Sequence, residues 1–149
     1  MITILQQHPI QLPALGRSTI RVPLYSHKVA AGFPSPADDY IEGKLSLDEH
    51  LIQNRNATFF VRAKGNSMTG AGIFDGDLLV VDKSLNPSSG DIVIAIMDGD
   101  LTVKRYIKQG AKVMLKPENP HFMEIVLKDG QELQVWGVVT STVKKFVKC

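Results

Sequence analysis

A mainly β domain behind an extended N-terminal arm is the architecture this sequence predicts, and three observations carry it. Five of the eight prolines fall within residues 1–36. After Asn56 the chain breaks into short segments rich in β-branched and aromatic residues. Turn signals separate those segments, and Asp98-Gly99 is the clearest, because both residues tolerate the positive φ of a two-residue type I′ hairpin.

Taken in order, residues 1–36 come first, with Pro9, Pro13, Pro23, Pro34 and Pro36. Each proline fixes φ and removes a backbone donor, so the stretch reads as an extended arm. It cannot hold the three helices of a helix-turn-helix domain. The remainder, residues 37–149, reads as the domain proper. Two short helices are expected at its start. Ser35 can cap a turn with Pro36 at its first position and Asp38 and Asp39 near the positive end of the dipole, until Gly43 interrupts it. Ser46 and Glu49 then form a capping box ahead of Leu47, Leu51 and Ile52. Strands are expected over Thr58–Ala63, Leu78–Asp82, Asp91–Met97, Leu101–Ile107, Lys112–Lys116, Met123–Leu127 and Glu132–Phe146. Asp75-Gly76, Asn86-Pro87 and Asp129-Gly130 mark further turns.

Composition narrows the class. With 149 residues, 44% apolar and 21% charged, the chain can bury a core without covalent staples. The one cysteine is Cys149, so no internal disulfide can form, and a reducing, cytoplasmic setting is expected. The longest apolar run, Ile92 to Met97, is far short of the ~20 residues that span a bilayer. No compact apolar core opens the chain, so no signal peptide and no membrane partner are expected. The net charge of +2 is spread thinly apart from Lys144, Lys145 and Lys148, and direct sequence-specific DNA binding is not expected.

Most motifs that carry chemistry are absent from the sequence. There is no phosphate loop, no dinucleotide fingerprint and no cysteine pair. His8, His27, His50 and His121 lack ligand spacing, so neither a cofactor nor a metal is expected. Two features remain. Gly65-Asn66-Ser67-Met68 follows a strand, so Ser67 can sit on a turn whose amides face a reacting carbonyl; the blander reading is a loop serine bonding its own backbone. Lys104 shares a strand face with Thr102 and Tyr106, while Arg105 points oppositely. One of these neighbouring cations is expected against the body and the other in water. A desolvated lysine loses affinity for its proton and becomes a base near neutral pH. Nine serines and twelve lysines make 108 pairs, however, and spacing alone does not choose among them.

Five stretches do choose. Ala31-Gly32-Phe33-Pro34-Ser35-Pro36, Gly65-Asn66-Ser67-Met68, Asp75-Gly76-Asp77 through Asp82, Gly90-Asp91-Ile92-Val93 and Thr102-Val103-Lys104-Arg105 stand in one order. In them the chain resembles the LexA/UmuD family of self-cleaving Ser/Lys peptidases, from about Pro23 to Val143. Lys104 follows Ser67 by 37 residues, as the family pattern requires. The segment Gly32 to Ala37 is most similar to the UmuD/MucA-like SOS mutagenesis branch. One departure is the scissile pair, which is Cys-Gly in the best-known UmuD and Ala31-Gly32 here, as in repressors and MucA-like proteins. Both are small residues before glycine.

The resemblance implies a compact LexA-like domain of the β-clip type. It implies Ser67 as nucleophile, Lys104 as base, the Asn66, Ser67 and Met68 turn as oxyanion donor, and cleavage at Ala31-Gly32. It also implies a homodimer, a RecA–single-stranded DNA filament as activator, and a UmuC-like translesion polymerase as partner of the processed form. Three rival readings stay open on the sequence. One is a non-catalytic β interaction module of a polymerase complex; another is a LexA-like or phage repressor core. The third is a signal-peptidase-like enzyme acting in trans, which the lack of a membrane segment disfavours.

Overall fold

The structure is a computed structural model that describes residues 20–26, 28–34 and 40–148. The expectations for Ser35, Pro36, Asp38 and Asp39, for His8 and His27, and for Cys149 lie outside those residues. The chain groups into two compact units, one within residues 5–53 and one over residues 54–149.

In the first unit, β1 (Val22–Tyr25) pairs antiparallel with β2 (Ile41–Leu45). Within the stretch expected to be extended, Val22–Tyr25 is a paired strand. One expectation is corrected: the helix expected to run up to Gly43 is a strand from Ile41. Its residues bond across to another strand, a long-range partner that local propensity cannot anticipate. The second helix forms as α1 (Leu47–Leu51), yet its capping box does not close. Ser46 is buried and its side chain makes no cap bond. Glu49 instead accepts a hydrogen bond from Arg21 at 2.9 Å.

The second unit is an antiparallel seven-stranded sheet in the order β3-β4-β9-β5-β6-β7-β8. Its strands are β3 (Thr58–Arg62), β4 (Leu78–Asp82), β5 (Ile92–Met97), β6 (Asp100–Gln109), β7 (Lys112–Lys116), β8 (Ile125–Val126) and β9 (Gln134–Val143). All seven expected strands are present, with β8 reduced to two residues. Asp98 and Gly99 both take positive φ, 48° and 85°, and Met97 faces Asp100 across the hairpin. The mainly β class therefore holds.

Strand β5 explains where the core sits. Ile94 packs into one cluster with Leu79, Val81, Ala63, Met68 and Ile73. Val93 and Ala95 pack into another with Leu115 and Val138. Because side chains alternate, an unbroken apolar run fills both faces of a central strand. Gly137 is needed where β9 crosses this core: a Cβ there would stand 2.5 Å from Val81 Cγ1. Met68 and Ala63, which flank the Ser67 turn, belong to the first cluster, so the turn is tied to the core at both ends.

Candidate active site

Strand β3 delivers the chain to Ala63, whose amide donates to Asp77 O and whose carbonyl accepts from Gly76 N–H, each at 2.8 Å. The Asp75-Gly76 turn thus holds the end of β3. Asp75 Oδ1 also accepts from the Gly65 amide at 2.8 Å. Gly65 takes φ 87°, a conformation open to glycine at little steric cost, and the backbone turns there. Ser67 follows half-buried, then buried Met68, then a short 3₁₀ turn at Thr69–Ala71.

Lys104 enters from β6, where it stands across the ladder from fully buried Val93. Its Nζ lies 3.1 Å from Ser67 Oγ, 2.7 Å from Thr102 Oγ1 and 3.0 Å from Val103 O. Lys104 is 9% exposed. Burial holds its pKa below the ordinary 10.5, because a cation loses hydration that no carboxylate replaces here. Among the described residues, Lys104 supplies the titratable group within hydrogen-bond distance of Ser67 Oγ.

The neighbouring cation does not run free into water. Arg105 Nε donates to Glu118 Oε1 and its Nη1 to Gly90 O, both at 2.5 Å. Alternation correctly separates the two side chains, but the expectation of a solvated partner fails because an acid stands opposite. Lys144, from the tail cluster, pairs with Asp77 and lies over the Phe74 ring.

Ser67 and Lys104 share a small cavity of about 130 Å³ whose walls include Val61, Ile73, Ile94 and Leu101. Apolar walls beside a serine hydroxyl and a desolvated amine suit acyl chemistry on a small, apolar peptide segment. Ala31 and Gly32 lie in an exposed bend of the first unit, and a Cβ at Gly32 would meet nothing within 4 Å. Val29 and Phe33 beside them are 82% and 92% exposed.

Two residues here were not singled out in the sequence. Glu118 N–H donates to Ser67 O at 2.8 Å, and Glu118 O accepts from Gly70 N–H at 2.7 Å. Asn119 Nδ2 donates to Asn66 O at 2.8 Å. Their one local signal is a polar pair between Pro117 and Pro120 after a strand, which by itself reads as an ordinary loop. Among the described residues no cluster of histidine, cysteine or acids could hold a metal, and no helix is long and apolar enough to cross a membrane.

Comparisons with known proteins agree on a family. Residues 23–140 match the family described as Peptidase S24-like. The chain is 44% identical over 140 residues to Protein SamA of Salmonella typhimurium, covering 94% of this chain and 91% of that protein. It is 39% identical over 129 residues to Protein MucA of Escherichia coli, with 86% and 88% covered. It is 43% identical over 125 residues to Protein ImpA of Shigella flexneri, with 83% of each covered.

Proposed function

The chain belongs to the Peptidase S24-like family, as a UmuD/MucA-like member of its LexA/UmuD group, and on that premise we propose that it is a serine peptidase that cuts itself at Ala31-Gly32. The observation that carries the reading is the 3.1 Å separation of Ser67 Oγ and Lys104 Nζ, with the amine desolvated. A neutral lysine amine has two N–H donors and one lone pair. Val103 O can only accept, and the Thr102 hydroxyl lies within reach as a second acceptor. Two donors spent there leave the lone pair for the Ser67 hydroxyl proton.

The reaction then runs as a balanced acyl transfer. Ser67 O–H gives its proton to Lys104 as Oγ attacks the Ala31 carbonyl carbon. The backbone amides of the Asn66, Ser67 and Met68 turn stabilise the resulting oxyanion. Lys104, now an ammonium, returns a proton to the Gly32 nitrogen as the Ala31–Gly32 bond breaks. Water then loses a proton to Lys104 and attacks the ester carbonyl. As the bond to Ser67 Oγ breaks, Lys104 returns that proton to Oγ, freeing the Ala31 carboxyl end and restoring the hydroxyl and the neutral amine. Tethering supplies effective concentration in place of binding affinity.

In this reading residues 1–36 are an arm that carries the cleavage site, and residues 37–149 are the peptidase-like domain. Cleavage belongs to the SOS response in the cytoplasm, with docking on a RecA–single-stranded DNA filament shifting the population toward the cleavable arrangement. The product, residues 32–149, is a homodimer that serves a UmuC-like error-prone polymerase. The test is intact mass after incubation with activated RecA filaments, followed by N-terminal sequencing. The large product is expected to begin Gly32-Phe33-Pro34, and any other start would sink the site assignment.

A further inference from the structure

The peptide planes of the Ser67 turn are anchored from one side. Asn66 O accepts from Asn119 Nδ2 at 2.8 Å, with the Thr69 amide a longer second donor at 3.5 Å. Ser67 O accepts from Glu118 N–H at 2.8 Å, and Met68 O from the Ala71 and Ile73 amides at 3.0 and 3.2 Å. A trans peptide is planar, so its N–H points opposite to its C=O. The described residues contain no cis bond. Drawing the Asn66 and Ser67 carbonyls onto residues 118 and 119 therefore turns the Ser67 and Met68 amides the other way. Among the described residues neither amide donates to a protein acceptor. Both residues line the cavity that holds Lys104.

The carboxamide of Asn119 is itself oriented. Its Oδ1 accepts from the His121 amide at 3.0 Å, a group that can only donate. That bond sends Nδ2 toward Asn66 O, with Thr69 Oγ1 a marginal second partner at 3.5 Å. We propose that Asn119 is a positioning residue for self-cleavage: by holding the Asn66 carbonyl it aims the Ser67 amide at the oxyanion. This rests on the self-cleavage reading above. An aspartate at the same place would keep the acceptor for His121 but set a carboxylate oxygen against the Asn66 carbonyl, and the peptide plane would rotate away.

The test is the rate of spontaneous cleavage across alkaline pH for the full chain, Asn119→Asp and Asn119→Ala, with folding followed by thermal unfolding. Asn119→Asp is expected to lower the plateau rate by about 10- to 100-fold, somewhat less than loss of an oxyanion donor itself. In Asn119→Ala, which adds no charge, the pH midpoint should not move, because Lys104 Nζ touches Ser67, Thr102 and Val103 and not Asn119. In Asn119→Asp the added carboxylate raises it by charge alone. A general loosening of the domain would lower the plateau and shift the midpoint of Asn119→Ala together, and that result overturns the proposal. A plateau within twofold of wild type overturns it as well. If Asn119→Asp fails to fold, Asn119→Ala carries the same expectation for the plateau. Wild type that stays folded and never shortens would overturn the self-cleavage reading and this inference with it; wild type that cleaves beside an equally fast variant overturns this inference alone.

Discussion

Strands β1 and β2 carry apolar residues, as β4 and β5 do more densely, and the two sets behave as opposites. Val22, Leu24 and Tyr25 in β1 and Ile41 in β2 are all exposed, Val22 to 57% and Ile41 to 58%. Leu79, Val80 and Val81 in β4 and Val93, Ile94 and Ala95 in β5 are at most 2% exposed. The difference is the number of neighbours. Among the described residues β1 and β2 pair with each other alone, whereas β4 lies between β3 and β9, and β5 between β9 and β6. A two-stranded pair is marginal in water, while a central strand has both ladders filled and both faces covered. Apolar residues do not make a core; layers do. The proposed function asks for both behaviours, because a substrate segment must leave its local structure to be cut and the unit holding Ser67 and Lys104 must keep its geometry.

The largest effects are expected at the reacting atoms. Ser67→Ala and Lys104→Ala should each lower self-cleavage by at least about 10³-fold without unfolding the chain, and the double variant should match either single one. Intact mass over time reads this. For wild type the rate should rise with pH as Lys104 loses its proton and level off at a pKa below 10.5. A rate already level at about pH 7.5 would fit a histidine base better than a lysine.

Next in size is the core itself. Leu79→Ala should destabilise the second unit by about 2–5 kcal/mol. Leu24→Ala, at a position 41% exposed, should change the same transition by less than about 0.5 kcal/mol. Urea unfolding followed by the single tryptophan, Trp136, reports on the sheet core directly. Equal losses from the two substitutions would dissolve the contrast between the regions.

Two glycines sharpen it at the level of one methyl group. Gly137→Ala drives a Cβ to 2.5 Å from Val81 Cγ1 and 3.2 Å from Asp82 O, and should cost about 1–3 kcal/mol. Gly43→Ala in β2 meets nothing within 4 Å and should be neutral or stabilising by up to about 1 kcal/mol. The same urea transition separates them.

The smallest expected effect concerns the buried amine. Folding holds the Lys104 pKa below 10.5, so between its folded value and 10.5 the unfolded chain binds more protons. Stability contributed by this group therefore rises with pH across that window. The penalty for burying the cation is full below the folded pKa and gone above 10.5. In a Ser67→Ala background, Lys104→Met should be the more stable protein at pH 7 (about neutral), with the gap closing as pH climbs. A gap that widened with pH would mean the lysine is stabilised as a cation.

Much of the second unit was legible because its signals are local. Alternation and β-branching marked β3 to β9, and Asp98-Gly99 marked its hairpin with both residues at positive φ. Strands β1 and β2 were missed because Pro23 and Gly43 interrupt short segments and read as arm and helix stop. Their strand character comes from facing each other, Pro23 against Lys44 and Leu24 against Gly43. For the candidate site, the family motifs pointed to Ser67 and Lys104, and the strand period put Lys104 and Arg105 on opposite faces. Glu118 and Asn119 left no trace, since a polar pair between prolines has many uses.

The class of fold, the presence and order of the strands in the second unit and the turn chemistry between them are legible in the sequence, because each depends on residues a few positions apart. Several strand ends fall elsewhere, as at Ile125–Val126 and Gln134–Val143. The tertiary fold sets which cation is desolvated and which meets an acid. It alone brought a serine and a lysine 37 residues apart to 3.1 Å, and hung the Ser67 turn on Asn119, 53 residues beyond Asn66. Those separations are bridged by the order of strands in the sheet, and a peptide plane is aimed by whatever stands behind its carbonyl. Neither is written in any local period.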